Sequence, residues 1–159
     1  MFKKKITIIL FFLILYQSPL LSKSNSFSEF NSNNLSKYFS GIVAFENKDN
    51  SIALNYFNSS KILINQHDPY LERFVMSLVL EDKVAQAINF IKANSKKNNS
   101  NFFEAYVLLI LDSIKKNNIN KALKILSEVP QDLQEDRFNY IIINSLREYV
   151  YVFKNKKIL

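Results

Sequence analysis

The sequence predicts an all-α protein, a solenoid of about three and a half stacked helix-turn-helix units. Three observations carry that prediction. Glycine occurs once and proline three times in 159 residues of which 48% are apolar, a poverty of turn-formers that argues for long helices joined by short polar corners. A short pattern recurs three times at a nearly constant spacing, as in helical repeat arrays. The stretch ahead of each copy carries apolar residues at helical spacing.

The recurring pattern is Ala53-Leu54-Asn55-Tyr56-Phe57, then Ala87-Ile88-Asn89-Phe90-Ile91, then Ala122-Leu123-Lys124-Ile125-Leu126, with the alanines 34 and 35 residues apart. In a helix, alanine at i and large apolar residues at i+1 and i+4 share one face, and the small residue admits a close neighbour. Each copy therefore reads as the second helix of a pair. The first helices are expected at Leu35 to Glu46, Tyr70 to Leu80 and Phe102 to Lys115. Within the pairs the corners are Asn47 to Asn50, Glu81 to Lys83 and Lys116 to Asn118. Between the pairs lie breaks at Asn65 to Pro69, where Asp68 suits a helix cap with Pro69 in the first turn, and at Ser95 to Asn101.

These residues resemble the tetratricopeptide repeat family, which favours a small residue at its eighth position, alanine at its twentieth and a large apolar residue at its twenty-fourth. Gly41, Ala53 and Phe57 match when counted from Asn34. Val75, Ala87 and Ile91 fall there from Asp68, and Ile110, Ala122 and Leu126 from Phe103. The small eighth residue is lost in the second and third copies, and Asn65 stands where the family has a proline, so divergent repeats with wider helix spacing are expected there. The resemblance spans about residues 35 to 153, in repeats near 34–67, 68–102 and 103–130, and implies a right-handed superhelix. With a leading Lys3-Lys4-Lys5 and apolar run from Ile6 to Tyr16 and a short Glu128-Val129-Pro130 exit, the arrangement also resembles exported tetratricopeptide proteins of alphaproteobacteria, of which this chain would be a full-length or a truncated member.

Ahead of the repeats, Lys3, Lys4 and Lys5 precede an apolar run from Ile6 to Tyr16 that breaks at Gln17-Ser18-Pro19. Basic end, apolar centre and small residues at Ser22 and Ser24 form the layout of a secretory signal peptide over residues 1–24. An uncleaved anchor competes with that reading, since Leu20 and Leu21 lengthen the run, although a spanning helix needs about 20 residues. Either way the repeat domain is expected outside the cytoplasm, periplasmic or exported, with membrane contact only through the uncleaved segment. Residues 25–34, rich in serine and asparagine, read as a flexible lead-in.

After Pro130, Leu133 to Phe153 reads as one further helix, the first of a fourth pair, followed by a polar tail over 154–159. Phe138, Ile141, Ile142, Leu146, Tyr149, Val150 and Phe153 spread apolar surface around it. Solenoid ends need a polar cap, so this helix caps imperfectly, covers its outer face with a partner or a second copy, or marks a longer natural chain.

Composition excludes several chemistries. Without cysteine there are no disulfides, thiolate nucleophiles or cysteine-bound metals. His67, alone of its kind, reads as a solvated loop residue. The adjacent acids Glu81-Asp82 and Glu135-Asp136 point to different helix faces and suit capping rather than acid-base pairing. No phosphate loop or nucleophile elbow is present. The formal charge of +7 falls to +4, 18 basic against 14 acidic residues, once the three leading lysines are set aside. Scattered Lys92, Lys96, Lys97, Lys121 and Lys124 without interleaved aromatics make a weak case for nucleic acid. The expectation is a protein without catalytic residues, cofactor or metal.

In tetratricopeptide repeats the groove-facing positions lie on the first helices. Carried over, they are Tyr38, Ile42, Phe45 and Glu46, then Glu72, Met76, Val79 and Leu80, then Val107, Leu111, Ile114 and Lys115. The resemblance implies a mostly apolar groove with an acidic spot at Glu46 and Glu72, suited to an apolar or amphipathic segment of a partner protein. The function expected is a protein-binding scaffold of the cell envelope, with an accessory subunit of an envelope enzyme as the alternative.

Overall fold

A computed structural model describes residues 31–65, 67, 69–94 and 101–155. The expected targeting segment, the lead-in up to residue 30, Asp68, the break at 95–100 and the tail from 156 lie outside the described residues. The helical body begins at Ser32. Its elements are α1 (Ser32–Glu46), α2 (Asn50–Ser59), α3 (Pro69–Leu80), α4 (Val84–Asn94), α5 (Phe103–Lys115), α6 (Ile119–Glu128) and α7 (Arg137–Asn155). Short 3₁₀ turns occupy Lys61–Asn65 and Asp132–Gln134, and there is no strand among the described residues. Among the described residues no helix is long and apolar enough to cross a membrane.

The helices pack mainly in chain order: α1 on α2, α3 on α4, α5 on α6, with α2 on α3, α4 on α5 and α6 on α7 linking the pairs. The three alanines that mark the repeat, Ala53, Ala87 and Ala122, are fully buried where each second helix meets its neighbours. Their partners Phe57, Ile91 and Leu126 are buried with them. At the eighth position Gly41, Val75 and Ile110 are all buried as well. The pair with the most extensive contact is α1 with α2, the one in which that residue has no side chain.

The corners repeat as faithfully as the core. α1 stops where Lys48 enters the left-handed region (φ 64°), its N–H donating to Phe45 O (3.0 Å) while Asp49 N–H donates to Ala44 O (2.9 Å). The same two bonds recur at Asp82 (φ 56°) and Lys83, which donate to Val79 O (3.1 Å) and Leu78 O (2.8 Å). They recur again at Asn117 (φ 55°) and Asn118, which donate to Ile114 O and Ser113 O, both at 2.8 Å. Two reversed bonds around one left-handed residue satisfy the last helical carbonyls and turn the chain sharply. Glycine normally fills that position; here lysine, aspartate and asparagine do.

Three boundaries differ from expectation. Helix α1 begins at Ser32, so the lead-in ends earlier than Asn34. Helix α7 begins at Arg137 rather than Leu133, because Gln134 Nε2 donates to Val129 O (3.0 Å) and Pro130 O (3.3 Å) and holds a separate turn. Asp136 then starts the helix, its Oδ1 accepting from Phe138 N–H (2.9 Å) and Asn139 N–H (3.1 Å), a capping arrangement. At its far end α7 runs through Lys154 and Asn155, two residues that the sequence places in the tail.

Two apolar cores result. The first gathers Tyr38, Leu54, Phe57, Leu63, Tyr70, Phe74, Val75 and Ile91 among others from α1 to the start of α5, and the second gathers Ile110, Ile125, Leu126, Val129, Ile143 and Val150 from α5 to α7. Leu109 is half-buried and packs against both.

Candidate functional site

The twelve residues expected along one groove are separated by the packing of the helices. Tyr38 corrects the expectation most clearly: it is 2% exposed and belongs to the core. Its ring lies 5.8 Å from both Phe57 and Tyr70, centroid to centroid. His67 is corrected with it. Instead of a solvated loop side chain, it is half-buried and edge-on to Tyr38 (centroids 4.8 Å), with Nε2 3.0 Å from the Tyr38 hydroxyl. Burial holds the Tyr38 phenol above its ordinary pKa. Tyr70 is raised likewise by burial, its hydroxyl donating to Phe57 O at the end of α2. This aromatic plug is structural.

Ile42 and Phe45 are half-buried against the first core and Ile114 against the second. Glu46 is exposed and pairs with Arg73 (3.3 Å) across α1 and α3. Leu80 is exposed near the end of α3. Leu111 and Lys115 line a cleft between α4 and α5 with Val84, Ala85, Ile88 and Leu108. That cleft is edged by Asp112, which receives Lys92 (2.6 Å) and Lys116 (2.7 Å). Hydrogen bonds from Lys116 and Lys92 hold the Asp112 carboxyl below its ordinary value.

Met76, Val79 and Val107 do come together. They line a cleft of about 320 Å³ with Phe103, Glu104 and Leu108, and its remaining wall is Phe138, Asn139 and Ile142 of α7. Three helices from three successive units thus build one apolar hollow, at the small end of the roughly 300–1,000 Å³ of ligand pockets. Its polar atoms are few. Asn139 Nδ2 is engaged with Leu133 O (3.1 Å), which leaves the Glu104 carboxylate as the charged group of the lining. Glu72, an exposed side chain one turn before Met76 on α3, is raised above its ordinary pKa by partial desolvation and then by the charge of Glu104. Two mutually repelling carboxylates therefore stand close to the apolar lining, an arrangement that a ligand cation would relieve.

The contribution of α7 was not legible in the sequence as part of the site. The signal that existed was the width of its apolar surface, with Phe138 and Ile142 four residues apart and so on one helix face. Among the described residues there is no group of three or more histidine, cysteine or acidic side chains placed to hold a metal. No protein-family model matches the chain, and no curated protein matches it.

Proposed function

We propose that this protein is a non-catalytic scaffold of the bacterial cell envelope, a tetratricopeptide-like superhelical array that binds an apolar, basic segment of a partner protein. The observation carrying the proposal is the cleft formed by Met76, Val79, Val107, Phe138 and Ile142, with Glu104 in its lining and Glu72 one turn before Met76. The apolar walls favour burial of one or two large side chains, at about 25 cal/mol per Å² removed from water. The carboxylates select a segment that carries lysine or arginine beside those side chains. The solenoid reading is supported by the common 34- and 35-residue steps of the buried alanines and of the left-handed corner residues. Export rests on the basic and apolar pattern of residues 1–24.

Binding is tested with defined amphipathic helical peptides that share one apolar face and differ in a basic or acidic polar face. The basic peptide should bind more tightly, and Val107→Glu should abolish its binding without loss of helix content. Equal affinity for both peptides, or undiminished binding to Val107→Glu, would overturn the assignment of the cleft. Export is tested by the mass of the chain recovered from cells: cleavage near Ser24 is expected, and a chain retained in the cytoplasm would remove the envelope from the proposal.

A further inference from the structure

Helix α7 buries Ile143 and Val150 against the second core, yet its opposite side is as apolar as its inner one. Phe138 is 68% exposed, Ile141 52%, Tyr149 49%, Val152 44% and Phe153 51%. At about 200 Å² for an aromatic side chain, these five leave about 500 Å² of apolar surface in water. That lies within the range of the largest patch on a typical monomer, about 300–600 Å², and such patches are often functional.

We propose that this face pairs with the same face of a second copy, antiparallel, about a two-fold axis at Ser145. The spacing supports a helix seam: Phe138, Ile141, Ser145, Tyr149 and Val152 follow steps of three and four and so form one stripe along α7. The stripe is self-complementary about its small middle residue. With Ser145 opposite Ser145, Ile141 meets Tyr149 of the partner copy and Phe138 meets Val152. Ser145 is exposed, and its small side chain lets the two helices approach closely at the axis.

Charge selects the same arrangement and the same occupant. Three acids, Asp132, Glu135 and Asp136, precede α7 and outnumber Arg137 at its first position, whereas its last turn carries Lys154 and the sequence beyond the helix Lys156 and Lys157. Antiparallel pairing brings the acidic approach to α7 in one copy near the basic end of the other; parallel pairing would set like charges together. Two copies that covered all five side chains, with Phe153 at the flank of the stripe, would bury about 1,000 Å² of apolar side-chain surface, the lower bound of a specific interface. The stripe shares Phe138 with the peptide cleft, but Ile141, Ser145, Tyr149 and Val152 are not among the cleft's lining residues, so their pairing is tested separately from peptide binding.

The absence of cysteine makes the test clean. Full-length chains carrying Ser145→Cys alone, or Phe138→Cys alone, are treated with a mild oxidant in cells and separated without reductant. Ser145→Cys should yield a disulfide-linked dimer of twice the chain mass and Phe138→Cys should not, since its counterpart in the antiparallel pair is Val152. The double variant Phe138→Cys with Val152→Cys should link again. Adding Ile141→Glu should abolish the Ser145→Cys product while leaving helix content unchanged, as Ile141 is half exposed. A monomeric Ser145→Cys, a product of another mass, or equal linkage by Phe138→Cys alone would overturn the proposal.

Discussion

The ring of Phe57 fills the space in which a side chain at residue 41 would begin. A Cβ placed on Gly41 would lie 2.8 Å from Phe57 Cε1 and 2.9 Å from Cδ1, inside any contact that real Cβ atoms make. Phe57 cannot withdraw, because it is fully buried and held between Tyr38 (5.8 Å) and Tyr70 (6.2 Å). The one glycine of the chain is thus required by the closeness of α1 and α2.

Gly41→Ala should therefore lower stability. Overpacking costs about 1–3 kcal/mol, against a gain of about 1 kcal/mol in helix propensity, so a net loss of about 1 kcal/mol is expected in urea unfolding. Combining it with Phe57→Leu should give less than the sum of the two single losses, since the ring is the obstacle. Additive losses would place the obstacle elsewhere.

At the first corner, Lys48 holds a left-handed conformation that costs an ordinary residue about 1–2 kcal/mol. Lys48→Gly should raise stability by up to about 1 kcal/mol, less the extra freedom that glycine gives the unfolded chain. Asn117→Gly should gain less, because asparagine already tolerates this region. Paired thermal or urea unfolding of the two variants checks the order.

Asp112 predicts a pH dependence of known sign. Its folded carboxyl titrates below the ordinary value of 3.8, so its stabilisation is complete above that pH and disappears as the pH falls through the lower folded value. Asp112→Asn should cost up to about 1 kcal/mol at neutral pH, and the variant should converge with the parent only below pH 3.8. A constant gap down to pH 2 would show that packing, not charge, is lost.

Glu72 predicts the opposite sign. Its carboxyl is raised above 4.5, so the folded chain gains from protonating it, and that gain is lost as the pH rises through the folded value. Glu72→Gln should be more stable than the parent at neutral pH and lose that advantage in acid. Binding of a basic peptide should strengthen over the same pH rise, and the dependence should shrink in Glu72→Gln.

Much of this architecture was legible in the sequence because it repeats. A buried alanine every 34 or 35 residues, and a polar corner at the same interval, are local demands of two helices meeting and turning. Most helix ends fell within a residue or two of expectation for that reason. The candidate site was less legible because it depends on what lies between units. Nothing local tells that Tyr38 turns inward to meet His67, 29 residues along the chain. Nor does spacing reveal that Met76 and Val107 share a hollow while Leu111, on the same helix as Val107, opens onto another. Those outcomes follow from the tilt of successive pairs and from the last helix, which supplies Phe138 and Ile142 as a wall.

The division of the interior into two cores has a kinetic meaning. Among the described residues the half-buried leucine Leu109 packs against both clusters, and the aromatic plug around Phe57 draws no side chain from α6 or α7, so loss of order in those helices need not disrupt it. In arrays whose units touch only neighbours, opening proceeds in steps from an end. Amide protons of Ile143 and Val150 should exchange with solvent before those of Phe57 and Phe74, and the protein should unravel from its carboxyl end while its first half stays folded.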